Sequence, residues 1–310
     1  MRKNIIIIVL FILLIAIMTF PLVFRITKYL PGFSSTDEVY GTIWDSWRIK
    51  YSWDNHLSFK NTDFISYPFG LNLFSSGYAS YLYLGILYSL SIFTTPVLTY
   101  NLQIICNFFL GLLITYALIR YITRSMAGAL LGVVAFGFSP YQFVRSWQHI
   151  SLTYNYLIPL SCFAIIMLRE KPHNRQAFFL CGAVLLAFSL DYAISFFTVF
   201  ALAAFFVYSF FINWKMFFAG GINQDGHFIF IKKFFIIVAI AAILSLPQFF
   251  PVIKKRILYS SKSPASAFNP YHRSFDDLFA QSARPLSYFL PAAVHPVFGK
   301  FTEQFIGSSL

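Results

Sequence analysis

Two adjacent carboxylates, Asp37 and Glu38, open a segment rich in tryptophan and tyrosine. A third, Asp191, interrupts an apolar stretch running from Ala177 to Ile212. A carboxylate pointing into a cavity beside apolar surface can take a proton from a hydroxyl or hold a metal ion. The same residue at the start of a helix is also a good acceptor for free backbone amides, and both readings stand for Asp37, Glu38 and Asp191. Gln148 and His149 follow an apolar run and suit either hydrogen bonding to a polar ligand or an interfacial position without a task. Arg145 and the run Lys254-Lys255-Arg256 are cations that can neutralise phosphate or reach for lipid headgroups.

The elements that must position these residues belong in lipid. Of 310 residues 58% are hydrophobic and 11% charged, with 40 phenylalanines and a mean hydropathy of +0.68. A soluble domain carries about 25% charge, so a soluble enzyme, a nucleic-acid binder and a disordered chain are all excluded. The excess of 23 Lys+Arg over 11 Asp+Glu then signals topology, since basic residues collect in cytoplasmic loops. Cys106, Cys162 and Cys181 lie in apolar runs without motif spacing and read as small core residues, not as a disulfide framework or zinc site.

Apolar runs predict an all-α, polytopic transmembrane helix bundle of about seven spans: 5–24, 99–119, 126–143, 152–168, 176–190, 194–213 and 233–253. Arg120 and Arg124, then Arg169, Lys171 and Arg175, then Lys215, Lys232 and Lys233 occupy every second connection. This phase predicts a cytoplasmic amino terminus in the plasma membrane, with long outer segments at 25–98, 144–151 and beyond 254. Residues 79–95 do not fit the phase as a crossing, and their tyrosines suit an interfacial or re-entrant element. A continuous helix from Ala177 to Ile212 would measure about 54 Å, so a hairpin is expected there with Asp191 near its tip. The stretch 216–231 reads as a loop, and 255–310, with its spaced prolines, as an outer segment following a transmembrane domain at 1–254.

Within the first outer loop, Ser35 and Glu38 have capping-box spacing and predict a helix over 36–52. Tyr40, Trp44, Trp47 and Tyr51 then share one face, as in a helix lying flat at the membrane surface. Asp45 and Asp54 fall off that face and are expected to be solvated or paired with Arg48 or Lys50. Tyr67-Pro68-Phe69-Gly70 marks a turn.

This arrangement resembles the GT-C superfamily of polytopic membrane glycosyltransferases, which includes protein mannosyltransferases and aminoarabinose transferases. The likeness rests on Asp37-Glu38 with Trp44 and Trp47, Tyr67-Pro68-Phe69-Gly70, Tyr100-Asn101-Leu102, Phe138-Ser139-Pro140-Tyr141 with His149, Ile158-Pro159-Leu160, Arg284-Pro285-Leu286 and His295-Pro296. It implies the amino-terminal part of a longer bacterial or archaeal protein. The implied activity is inverting transfer of a sugar from a polyprenyl-phosphate donor to a cell-envelope lipid, glycan or protein on the outer face. The resemblance gives Asp37 the role of base, Arg145 and Lys254, Lys255 and Arg256 that of phosphate partners, and Trp44, Gln148, His149 and Tyr192 that of sugar-binding groups. Asp191 would position the acceptor. The scheme fixes no cofactor; a divalent metal is compatible with it, although no metal-ligand set is assigned. Membrane lipids are implied partners and nucleic acid is not. The alternatives are a transporter or lipid flippase, or a GT-C-like protein without catalysis.

Overall fold

A computed structural model describes residues 2–32, 37–73, 80–218 and 224–260, with residues 300 and 304. The chain forms two compact units, 1–257 and 258–310. Of the second unit only 258–260, 300 and 304 are described, so the helices that position the candidate residues belong to the first.

Helix starts follow local capping chemistry. Helix α1 spans Arg2–Met18 and α2 spans Asp37–Asp54. The turn after α2 carries a minimal antiparallel pair, β1 (Asn61–Thr62) and β2 (Leu71–Asn72). Gly70 precedes β2 at φ +67°, a conformation L side chains rarely adopt. Helix α3 (Tyr81–Ser91) begins where the Ser80 hydroxyl accepts from the Tyr83 amide at 3.0 Å. Helix α4 (Pro96–Thr123) has Thr95 as cap and proline in its first turn, and closes at Arg124 with φ 57°. The Ser125 hydroxyl then caps α5 (Met126–Gly137) through the Gly128 amide at 3.1 Å. Ser139-Pro140 breaks the path and starts α6 (Pro140–Trp147). A 3-10 segment, Ile150–Tyr156, leads into α7 (Leu157–Glu170). Helices α8 (Asn174–Leu190), α9 (Tyr192–Phe218) and α10 (Gln224–Ser260) follow.

Among the described residues, five stretches are long and apolar enough to cross a membrane: Pro96–Thr123, Met126–Trp147, Ile150–Glu170, Tyr192–Ser209 and Phe228–Lys254. This is the signature of an integral, polytopic α-helical membrane protein. The apolar parts of α1 (Ile5–Met18) and α8 are shorter than the other five. Large apolar side chains such as Ile6, Phe196, Phe200, Ile243 and Leu244 stand exposed on α1, α9 and α10, as lipid-facing side chains do. Helix α3, of 11 residues, is about 16 Å long and reaches only half way across a hydrocarbon core. It buries Tyr83, Leu84, Leu87 and Ser91 on one side.

Several expectations need correction. The loop placed at 216–231 is mostly helix, because α9 runs on to Phe218 and α10 starts at Gln224. Lys254, Lys255 and Arg256 sit on α10. Cys106 is exposed, whereas Cys162 and Cys181 are partly buried, and all three are free thiols.

Among the described residues, three apolar clusters hold the unit. One joins Phe11 and Ile15 of α1 to Tyr100, Ile104 and Phe108 of α4 and Val133 of α5. A second packs Ala164, Leu168, Leu180, Phe230 and Ala241 from α7, α8 and α10. The third gathers Ile49, Leu87, Tyr154, Leu157, Leu190 and Ile194, and so draws α2, α3, the 3-10 segment and the α8–α9 tip together. Helices α4 and α5 approach closely at glycine: a Cβ on Gly137 would lie 2.2 Å from Leu112.

Buried polar residues set the register of α4. Asn101 donates through Nδ2 to the carbonyls of Ile26 and Tyr29, each at 2.7 Å. Tyr100 donates to the Ser146 carbonyl at 2.8 Å, Asn107 to Thr153 Oγ1 at 2.6 Å, and Tyr154 to Gln103 Oε1 at 3.2 Å. Replacing Asn101 by Ala strands two carbonyls in an apolar setting and should destabilise the fold by about 1–3 kcal/mol. Thermal unfolding in detergent checks this; an unchanged midpoint would show that the two bonds contribute nothing.

Candidate functional site

The aromatic stripe of α2 faces outward. Tyr40, Trp47 and Tyr51 are exposed, Trp47 stacks on Tyr51 at 5.1 Å, and Phe64 closes against both rings. The opposite side, with Val39, Ser46, Ile49 and Ser52, is buried. Arg48 is buried as well, with its side chain 0% exposed, and is the largest fully enclosed side chain among the described residues.

Arg48 is held incompletely. Its Nη1 reaches the Phe59 carbonyl at 3.5 Å, and its guanidinium lies 5.3 Å from the Trp44 ring. Its Nε is 3.8 Å from Asp45 Oδ1, an ion pair too long for a hydrogen bond. Nε and Nη2 have no hydrogen-bond partner. Asp45 is thus paired with Arg48, as expected, with Arg48 fully enclosed and Asp45 partly buried; Lys50 and Asp54 form the exposed pair at 3.5 Å. Burial pushes the Asp45 carboxyl up to about 6, partly offset by the Arg48 charge. The same burial lowers the Arg48 pKa, with Asp45 acting in the opposite direction.

A series of buried hydroxyls leads inward from this pair. Tyr83 of α3 is enclosed and lies within electrostatic range of both Asp45 and Tyr154; burial pushes its phenol well above the ordinary tyrosine range. Tyr154 is in turn within range of Asp191. The two carboxylates, which the sequence separates by six α-helices, are therefore linked through Tyr83 and Tyr154.

Asp191 sits at the tip of the α8–α9 hairpin, as expected. Its Oδ1 accepts from the Ala193 and Ile194 amides at 2.8 and 3.0 Å, so it caps α9. Its charge also reaches Tyr141 and Tyr192. Tyr192 packs its ring 5.2 Å from Phe249, while its buried hydroxyl has no partner. Arg145 stacks over Tyr141 at 5.5 Å, which brings it to the same region. Gln148 is exposed at the end of α6, and His149 is half-buried at the head of the 3-10 segment. Gln142 Oε1 and Asn155 Oδ1 are further buried acceptors without partners at this end.

Other predicted groups are placed less directly. Asp37 and Glu38 begin α2, as the capping pattern predicts; their side chains and the capping residue Ser35 lie outside the described residues. By helical register position 37 shares a side of α2 with Arg48, and position 38 shares one with Asp45. Lys254 is exposed on α10 beyond Phe249, and the side chains of Lys255 and Arg256 lie outside the described residues. Among the described residues no group of His, Cys, Asp or Glu is arranged to hold a metal ion.

Arg48 was missed as a functional candidate. Its signal was its place beside the buried half of an amphipathic helix, where a cation demands a partner.

With its carboxyl raised in the folded state, Asp45 binds a proton more tightly folded than unfolded. Its contribution to stability is complete below the ordinary value of 3.8 and is lost as the pH rises through about 6. Asp45→Asn should flatten that part of the stability profile. Unfolding midpoints of both proteins across this window check it, and parallel profiles would contradict it.

No known protein family, curated protein or solved structure matches the chain.

Proposed function

We propose that the chain is a membrane glycosyltransferase that moves a sugar from a polyprenyl-phosphate donor to a hydroxyl on a cell-envelope acceptor. The observation that carries this reading is Arg48, enclosed beneath a membrane-surface helix with Nε and Nη2 unpartnered, next to a carboxyl that burial pushes up to about 6. A buried cation short of hydrogen bonds is complementary to a ligand that brings its own anion, and a lipid-linked phosphate does so from the bilayer side. The exposed rings of Trp47 and Tyr51 suit the headgroup boundary through which such a donor enters.

In this scheme the acceptor oxygen attacks the anomeric carbon with inversion. The bond from that carbon to the phosphate oxygen breaks, and polyprenyl phosphate leaves as the anion. A carboxylate of α2 receives the hydroxyl proton. Asp37 has the first claim by the resemblance. Asp45, about nine-tenths ionised at pH 7 with a value near 6, has the second by its environment. Asp191 positions the acceptor, and Trp44, Gln148, His149 and Tyr192 contact sugar. Arg145, Lys254, Lys255 and Arg256 supplement the charge on the phosphate.

The reading includes seven spans, a cytoplasmic amino terminus and a site facing outward across the plasma membrane. It is favoured over a transporter because Asn101, Gln103 and Asn107, the polar side chains a midplane path would use, are engaged in bonds within the bundle.

Turnover of a panel of polyprenyl-phosphate sugars by the full chain in membranes tests it. Wild type should release polyprenyl phosphate, and loss of the base should slow release by about 10²–10⁴-fold. If Asp37→Asn is silent and Asp45→Asn is inactive, the base is Asp45. Asp191→Asn keeps the helix cap and removes only the charge, so a loss there assigns acceptor positioning. No release from any donor would refute the proposal.

A further inference from the structure

The opposite end of the bundle carries a second site, built from different residues. Between the ends of α4 and α7 and the flank of α9 lies a cavity of about 380 Å³, lined by Tyr121, Ile122, Arg124, Ile166, Arg169, Glu170 and Phe205. Its two cations are held by rings: the Arg124 guanidinium lies 4.9 Å from the Tyr121 ring and that of Arg169 lies 6.0 Å from the Phe205 ring. Neither forms an ion pair with a described carboxylate. Glu170, the acidic group of the lining, accepts a hydrogen bond from the Tyr121 hydroxyl.

The surroundings reinforce this charge. Lys233 of α10 is tied to this end by bonds to the Pro172 carbonyl at 2.7 Å and to Asn174 Oδ1 at 2.8 Å. Arg120, Lys171 and Arg175 are exposed nearby in the sequence of the same turns. Cations at helix carboxyl ends also offset the helix dipole, which accounts for their sign. It does not account for two guanidiniums converging on one cavity whose remaining walls are Ile122, Ile166 and Phe205. An opening with paired arginines over apolar walls, at the end of membrane-crossing helices, is complementary to a phosphodiester above acyl chains.

We infer that this cavity binds the headgroup of an anionic phospholipid, with Arg124 and Arg169 on its phosphodiester and Ile122, Ile166 and Phe205 against the start of its chains. Lipid binding here is independent of the transferase reading, since it uses no residue of that site and its readout is lipid retention.

Native mass spectrometry of the detergent-purified full chain tests it, with phosphatidylglycerol, phosphatidylcholine and inorganic phosphate as probes. Wild type should retain phosphatidylglycerol over phosphatidylcholine by about tenfold, and inorganic phosphate should not displace it. The double variant Arg124→Gln/Arg169→Gln should lose the preference, whereas Arg120→Gln/Lys171→Gln, with the same change in charge, should keep it. As a second measurement, phosphatidylglycerol should raise the unfolding midpoint of wild type and not that of Arg124→Gln/Arg169→Gln. A preference that survives in Arg124→Gln/Arg169→Gln overturns the site. Equal loss in both double variants assigns the effect to a diffuse field, and displacement by inorganic phosphate assigns it to the free anion; either result also overturns the proposal.

Discussion

Helix α4 is registered by polar side chains that have almost no water to turn to. In an apolar medium an amide or hydroxyl without a partner costs several kcal/mol, so each such group fixes the element that satisfies it. Asn101 fixes the chain after α1, Tyr100 fixes α6, and Gln103 and Asn107 fix the 3-10 segment. Apolar packing alone would leave these helices free to slide, because lipid tails attract a leucine face about as well as another helix does. The four residues occupy the first half of α4, and the candidate site lies at that same end.

Arg48 differs in kind from the other buried polar groups left short of partners, such as Gln142, Asn155 and Tyr192, because it carries a full charge. Its fully enclosed guanidinium keeps two nitrogens without acceptors. Its counter-ion stands at 3.8 Å, and that carboxyl is itself pushed toward neutrality by burial. Such a pair is a poor stabilising device, since desolvation of both charges outweighs so long a contact. It is a good receptor for an anion, because the cost of burying the cation has already been met by the fold. Tyr83 and Tyr154 extend this polar region toward Asp191, so that two carboxylates distant in sequence share one environment.

Much of this was legible from the residues. The hairpin at Asp191 followed from an apolar run too long for one crossing, and α2 from its aromatic spacing. The brevity of α3 showed in the clash between its apolar length and the charge phase. The extent of α10 was hidden because Asp225, Gly226 and the two lysines at 232 and 233 look like loop composition, whereas the helix continues through them. Arg48 was hidden for another reason. Periodicity tells which side of α2 is apolar, but not that the Phe59 carbonyl folds back over its other edge. The ambiguity of Asp191 was well founded: it caps a helix and also reaches three tyrosines.

The central claim is that the α2 end of the bundle receives a lipid-borne phosphate. Photo-crosslinking with a polyprenyl phosphate bearing its reactive group beside the phosphorus tests this most directly. The account predicts labelled peptides from α2, the 3-10 segment and the α8–α9 tip, with labelling lost in Arg48→Gln. Labelling confined to the Arg124–Arg169 end, or unchanged in Arg48→Gln, would contradict it.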